Sequence, residues 1–225
     1  MYNLTKRLID LIISISTILL LSPFFLIVII VLKLTGEGEV FYLQQRYGFK
    51  NKKFKIIKFA TMIKNSPNIG TGSLTLRNDP RVLPFGRFLR KSKINELPQV
   101  INVILGDMSI VGPRPQMEQD FIKFPEKSRN KIYLSKPGIT GIGSIIFRDE
   151  EIWISNHKGD KHDFYKNSIA PYKTDLELWY LKHKNIFIDI LLIILTAFII
   201  LFNNSNIVFL IFKNLPEKPK NFPKG

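Results

Sequence analysis

The chain has 225 residues, 33 of them basic and 18 acidic, for a formal charge of +15, and it contains no cysteine. One ordinary core plus membrane elements accounts for that length, and the missing thiols exclude a disulfide framework, a thiolate zinc site and a cysteine nucleophile. The charge suits a solvated surface, an anionic membrane face or a nucleic acid. No nucleic acid is expected, because no helix-turn-helix, zinc or single-strand-binding signature accompanies it and two strongly apolar segments point to lipid.

Leu11 to Leu32 is almost wholly apolar, and its 22 residues are enough to span a bilayer as one helix. No small-residue cleavage site follows, so a signal peptide is disfavoured. Ser22-Pro23 sits at the middle. Proline removes a backbone donor and crowds the carbonyl four residues back, which predicts a kink or break there. Each half is then roughly 16 Å long against about 30 Å of hydrocarbon, too short to cross. Both flanks are basic, with Lys6 and Arg7 before the segment and Lys33, Arg46, Lys50, Lys52 and Lys53 after it. Such flanks favour one cytoplasmic side for both ends. The residues alone leave two readings open, a turn-back helix and a crossing helix with a tolerated proline.

Gly36-Glu-Gly38 punctuates the end of this segment, Val40 to Gln44 reads as a strand, and Arg46 to Lys52 as a turn. Phe54 to Phe59 alternates apolar with basic as an edge strand does, and residues 65–80 carry loop chemistry. A helix is expected from Gly86 to Arg90, with Arg87, Arg90 and Lys91 on a basic face and Phe88 and Leu89 turned inward. Asn95 is suited to cap a following helix, and Pro98 to Gly106 reads as a short buried helix.

Lys91-Ser-Lys-Ile-Asn-Glu-Leu-Pro-Gln99 and Gly106-Asp-Met-Ser-Ile-Val-Gly-Pro-Arg-Pro115 place cations, a carboxylate and a Gly-Pro-Arg-Pro turn within 25 residues. That mixture suits a diphosphate and its metal. Arg90 and Arg114 are the first candidates for phosphate, since a planar guanidinium grips its oxygens bidentately; Lys58 and Arg87 stand behind them. Pro113 and Pro115 restrict the backbone around Arg114. Glu96 can serve as an oxygen ligand for Mg2+, which typically uses one or two carboxylates plus substrate phosphates. The Asp149-Glu150-Glu151 run reads as a solvated helix start, and His157, Asp160 and His162 as a polar loop, their spacing being wrong for a helical zinc pair.

From Leu176 a stripe of Leu176, Trp179, Tyr180, Phe187, Ile190, Leu191 and Ile194 follows helical spacing, with Glu177, Lys184 and Asp189 as its polar face. It is expected to lie in the membrane interface with its aromatics at headgroup depth. Residues 213–225, rich in Pro and Lys, read as a disordered tail.

The order and spacing of these motifs resemble the bacterial sugar transferase family, the monotopic polyprenol-phosphate phosphoglycosyl transferases, over roughly residues 6–195. Lys6, Arg7 and Asp10 match its opening Lys-Arg-Xaa-Xaa-Asp; Ser22 and Pro23 match its mid-segment pair; and Lys136-Pro-Gly-Ile-Thr-Gly141 matches a further segment. The resemblance implies transfer of a sugar 1-phosphate from a UDP-sugar to polyprenyl (undecaprenyl) phosphate, with Mg2+, starting polysaccharide or glycoconjugate assembly at the cytoplasmic side of the bacterial inner membrane. It implies phosphate contacts for Lys58 and Arg148, and it tips the N-terminal segment toward a re-entrant helix-break-helix among inner-membrane lipid. A homodimer is compatible with it. Ala60 stands where the family has an arginine, and Asn95 where it has a nucleophilic aspartate. An amide has no anionic oxygen for a covalent aspartyl-phosphate. Three routes stay open: attack by another carboxylate (Glu96 or the 149–151 run), direct attack by polyprenyl phosphate, or an inactive relative that binds as a scaffold.

The fold class expected is a small mixed α/β membrane-associated catalytic domain. Its parts are a re-entrant helix in 1–35, the catalytic domain in 36–175, a membrane-associated region in 176–212 and the tail in 213–225.

Overall fold

The computed structural model describes residues 1–70, 74–202, 204 and 206–219. The first apolar run is one continuous helix, α1 (Tyr2–Leu34), with Pro23 inside it. The expected break is absent from its path, and the reason is local. Pro23 has no N–H for the Leu19 carbonyl, and the Ser22 hydroxyl donates to that carbonyl at 3.0 Å instead. A straight helix of this length would reach about 50 Å, yet both ends rest on the same domain. Near the start, Arg7 donates to the Val103 and Ile104 carbonyls at 2.6 and 2.9 Å. Asp10 accepts there from the Ser109 hydroxyl at 2.8 Å and the Ile110 N–H at 3.0 Å. Near the end, Val28 and Leu32 are buried with Phe59 and Leu89. Between them Leu19, Leu20, Leu26 and Ile27 are exposed, an apolar surface suited to lipid.

β1 (Phe41–Tyr47) and β2 (Lys53–Phe59) form an antiparallel hairpin in which Tyr42 faces Lys58 and Arg46 faces Phe54. The turn between them holds Lys50 and Asn51 at positive φ. Residues 65–70 and 74–80 form the expected loop; it is organised by Arg81, whose guanidinium binds Asp79 at 2.6 Å and the carbonyls of Ser66, Ile69 and Leu74. Residues 71–73 of that loop lie outside the described residues.

α2 (Pro84–Lys91) starts on a proline at its first turn, a favoured position. Gly86 packs so closely that a Cβ there would lie 2.2 Å from the Thr61 carbonyl oxygen. Leu89 is fully buried, as expected, but Phe88 is exposed, because the inward face is set by Gly86 and Leu89. α3 (Gln99–Leu105) ends at Gly106, whose φ of 93° closes it in the left-handed conformation. Asn95 does not cap α3: it lies in a separate 3-10 turn, Ile94–Glu96, and the residue before α3 is Pro98.

β3 (Ser109–Val111) leads through the Pro-Arg-Pro turn to α4 (Glu118–Phe121) and α5 (Glu126–Ile132), then pairs in parallel with β4 (Gly138–Thr140). After β4 come α6 (Ile142–Ile146), α7 (Glu150–Asn156), α8 (Lys161–Phe164), a π turn and α9 (Ala170–His183). The His157–His162 stretch is thus partly helical: Asp160 caps α8 by accepting from Asp163 N–H, His157 stacks on Phe164, and His162 meets Lys123.

The long C-terminal stripe divides in two. α9 belongs to the domain core, with Leu176 and Tyr180 fully buried, so the boundary expected at 175/176 falls inside a core helix. Trp179, expected at headgroup depth, packs between His183 and Phe212. After Lys184-Asn185 the chain restarts as α10 (Ile186–Phe202), followed by α11 (Ile207–Ile211). One face of α10 is buried through Asp189, Leu192, Leu195 and Ile199, while Phe187, Ile190, Ile194 and Leu201 are exposed on the other. The helix is thus apolar on both faces, one packed on the domain and one exposed. Residues 213–219 are not a free tail: the Tyr172 hydroxyl donates to Pro216 O, and the Lys218 ammonium sits over the Trp153 ring. Residues 220–225 lie outside the described part.

Candidate active site

The hairpin, the 94–96 turn and the Pro-Arg-Pro turn converge on one carboxylate. Glu96 Oε1 accepts from Lys58 Nζ at 2.9 Å and from Arg114 Nη2 at 2.9 Å, and Oε2 accepts from Arg114 Nη1 at 3.3 Å. Burial alone would raise the Glu96 carboxyl, but the charges of Arg114 and Lys58 outweigh it and hold the group well below the usual carboxylate range. Burial pushes the Lys58 ammonium down to about 7 against the opposing pull of Glu96. Arg114 is raised, first by Glu96, and stays fully charged.

Arg114 is held from behind as well as in front. Its carbonyl accepts from the Tyr133 hydroxyl at 2.8 Å, and its N–H meets Glu177 Oε1 at 3.4 Å. Gly112 and Gly138 pack backbone to backbone, a Cβ on Gly138 falling 2.1 Å from Gly112 N. The Gly-Pro-Arg-Pro and Lys-Pro-Gly-Ile-Thr-Gly segments therefore meet with no side chain between them. Pro113 is buried here, and its carbonyl accepts from Gly138 N–H at 2.9 Å.

Lys58, Glu96 and Arg114 line a cavity of about 740 Å3 that also takes in Arg46, Arg90, Lys93, Asn95, Arg148, Glu150 and Glu151. Arg90 binds Glu151 at 3.3 Å, and Glu150 pairs with Lys173. The acidic run is therefore a helix start, as expected, but its two glutamates are ion-paired rather than solvated, and Asp149 alone is exposed. Arg148 lines the cavity while donating to the Ile199 carbonyl of α10. Arg87 is exposed and does not line the cavity, since the face of α2 carrying Arg90 is the one turned to it.

Three participants were not singled out from the sequence. Arg46, lowered by burial to about 10, shares a strand face with Lys58 and donates to Pro115 O at 3.3 Å. Period-two alternation would have found it once the pairing of β1 with β2 was known. Lys93, in a left-handed turn before Asn95, is shifted down by burial and faces Glu96. Glu177, buried on α9, carries no local sequence signal that separates it from a solvated acid.

Asn95 is buried, lines the cavity, and its Oδ1 has no hydrogen-bond partner. Among the described residues no group of three His, Asp or Glu forms a ready metal cage. A Mg2+ ion held by one carboxylate and phosphate oxygens needs less than that. Glu96, whose Oε2 carries only a long contact, and the partnerless Asn95 oxygen in the same turn fit such an ion.

The cation-lined cavity thus lies beside two helices, α1 and α10, with exposed apolar faces. Residues 1–203 match the bacterial sugar transferase family, and the chain belongs to it. It is 35% identical over 175 residues to the exopolysaccharide production protein ExoY of Sinorhizobium fredii, covering 71% of this chain and 76% of that one. It is 32% identical over 198 residues to an undecaprenyl-phosphate glucose phosphotransferase of Komagataeibacter xylinus, covering 86% of this chain and 35% of the other. Against the UDP-glucose:undecaprenyl-phosphate glucose-1-phosphate transferase of Escherichia coli, identity is 33% over 202 residues, covering 87% and 40%. The chain thus spans less than half the length of the last two relatives.

Proposed function

We propose that this chain transfers a sugar 1-phosphate from a UDP-sugar to a polyprenyl phosphate at the cytoplasmic face of the bacterial inner membrane. The observation that carries the reading is Glu96 held between Lys58 and Arg114 in a cavity flanked by apolar helices. The names of the three relatives agree with it. The two ends of α1 rest on one domain, which supports a helix that enters and leaves by the same leaflet.

Phosphoryl transfer between anions asks the protein for alignment and charge neutralisation and little covalent work. Arg114, fixed through its own backbone and paired through its fork with Glu96, adds its charge at the diphosphate; Lys58, Arg46 and Lys93 surround the site with further positive charge. Mg2+, when bound at Glu96 and Asn95, supplies further neutralisation of the diphosphate. Asn95 has no anionic oxygen, and Glu96, Glu150 and Glu151 are each engaged by cations. These pairings favour direct transfer. A polyprenyl phosphate oxygen attacks the sugar-bearing phosphorus, a new P–O bond forms there, and the bond from that phosphorus to the bridging oxygen breaks, UMP leaving with that oxygen and the electron pair.

Steady UMP release from one of a panel of UDP-sugars, dependent on polyprenyl phosphate, is the expected result. Initial rates should show sequential kinetics, with no phosphosugar on the protein when lipid is omitted. Ping-pong kinetics with label on Glu150 or Glu151 would move the nucleophile to α7. The second reading, a silent binding relative, rests on Asn95 and gains if no sugar in the panel yields UMP.

A further inference from the structure

The same cavity has a second, apolar wall that phosphate chemistry does not use. α10 contributes Ile193, Thr196, Ala197 and Ile200 to it, and α1 contributes Thr17. The two helices meet at Asp189, which Lys6 and Tyr2 of α1 bind at 2.7 and 2.9 Å. One turn farther along, Asp10 and Ile193 border a common crevice, and farther still Thr17 and Ala197 border the cavity. The helices therefore run alongside each other from the clamp toward the cavity mouth. Ala197 and Ile200 are exposed there, and so are Leu19 and Leu20 of α1, next to Thr17.

Polar bonds hold this wall in place. Thr196 Oγ1 bonds Thr140 Oγ1 at 2.5 Å, and Arg148 reaches the Ile199 carbonyl. The same cavity is also lined by Lys58 and Arg114. A space lined both by cations and by aliphatic side chains of helices with exposed apolar faces is complementary to an amphiphile: an anionic head and a hydrocarbon body.

We infer that α10 and Thr17 form a lateral portal for the first isoprene units of a polyprenyl phosphate, with Ala197 leaving room for the chain and Ile193 and Ile200 contacting it. This rests on the proposed transfer reaction, because that reaction places the lipid phosphate among those cations. It assigns α10 a role as substrate wall in addition to membrane contact.

The test uses the full chain in lipid nanodiscs and a polyprenyl phosphate carrying a diazirine in the isoprene units nearest the phosphate. Labelling should map to 193–200 and Thr17, and unlabelled polyprenyl phosphate should compete where polyprenol and phosphatidylglycerol do not. Ala197→Trp, which fills the mouth, should raise KM for polyprenyl phosphate about tenfold or more while leaving KM for the UDP-sugar unchanged. Labelling confined to the outer face of α10, at Phe187, Ile194 or Leu201, overturns the portal, as does equal competition by phosphatidylglycerol. Labelling needs no turnover. Competed labelling at Ala197 without transfer therefore sinks the enzymatic reading and sustains the portal; transfer with labelling elsewhere does the reverse.

Discussion

Replacing Asp189 with asparagine probes how the apolar C-terminal helix is tied to the anchor. In the native protein this 5%-exposed carboxylate accepts from Lys6 Nζ at 2.7 Å, Tyr180 OH at 2.7 Å and Tyr2 OH at 2.9 Å. Asparagine keeps an acceptor for the tyrosines but leaves the Lys6 ammonium, its side chain 12% exposed, without its counter-charge. Removing one member of a buried ion pair costs about 3–5 kcal/mol. For a chain of this size each kcal/mol lowers Tm by about 2–4 °C, so the expected drop is about 6–20 °C. Differential scanning fluorimetry in detergent, run as a double-mutant cycle with Lys6→Met, isolates the pair. The double variant Lys6→Met/Asp189→Asn should recover most of the loss, because it removes both charges of the buried pair while keeping an acceptor for the two tyrosines. Additive effects in the cycle, or an Asp189→Asn Tm within about 2 °C of the parent, would refute the clamp.

Glu96→Gln removes the carboxylate between Lys58 and Arg114 and should lower kcat/KM on the order of a hundredfold or more, read by UMP release; a near-normal rate moves the chemistry away from Glu96. In the free protein Lys58 titrates near 7, losing its proton as pH rises. The kcat/KM profile should therefore fall through about 7 toward alkaline pH, and Lys58→Arg should abolish that limb. Glu177 is raised by burial to about 8. The folded state thus holds a proton that the unfolded chain releases near the ordinary glutamate pKa of about 4.3, so stability falls as pH rises from there to about 8; Glu177→Gln should flatten that slope in Tm. Cysteines placed singly at Tyr2 and Thr35 should both resist an impermeant thiol reagent in intact cells, and labelling of Tyr2→Cys alone would show a crossing helix.

The hairpin was legible because Phe54 to Phe59 alternates and Gly48 marks the turn before it; α3 was legible because Gly106 closes an apolar run. Glu96, Arg114 and Lys58 were legible from residue chemistry and motif together. Other features depended on tertiary partners. Arg87 and Arg90 look equivalent on a helix until Gly86 and Leu89 fix which face turns inward. The apolar stripe through 176–194 gives no sign that Tyr180 enters a core while Ile194 faces outward. Asn95 was read as a cap because local chemistry allows it, but the chain forms a separate 3-10 turn and α3 starts after Pro98. At Pro23 the helix stays continuous, and the Ser22 hydroxyl donates to the Leu19 carbonyl that the proline leaves without an N–H.

Arg7 bears on how the protein can be divided. Its two bonds go to the carbonyls of Val103 and Ile104, in the last turn of α3, where carbonyls run out of i+4 donors; Val103 O also takes the Gly106 N–H at 3.1 Å. α1 thereby finishes a helix that belongs to the catalytic domain, and Asp10 does the same for the backbone N–H of Ile110. Cutting the chain after Leu34 to obtain a water-soluble fragment would strip the Val103 and Ile104 carbonyls of Arg7 and the Ile110 N–H, three residues before the Pro-Arg-Pro turn, of Asp10. The anchor and the catalytic part make one folding unit, so solubility has to be gained by changing the outward face of α1 rather than by deleting it.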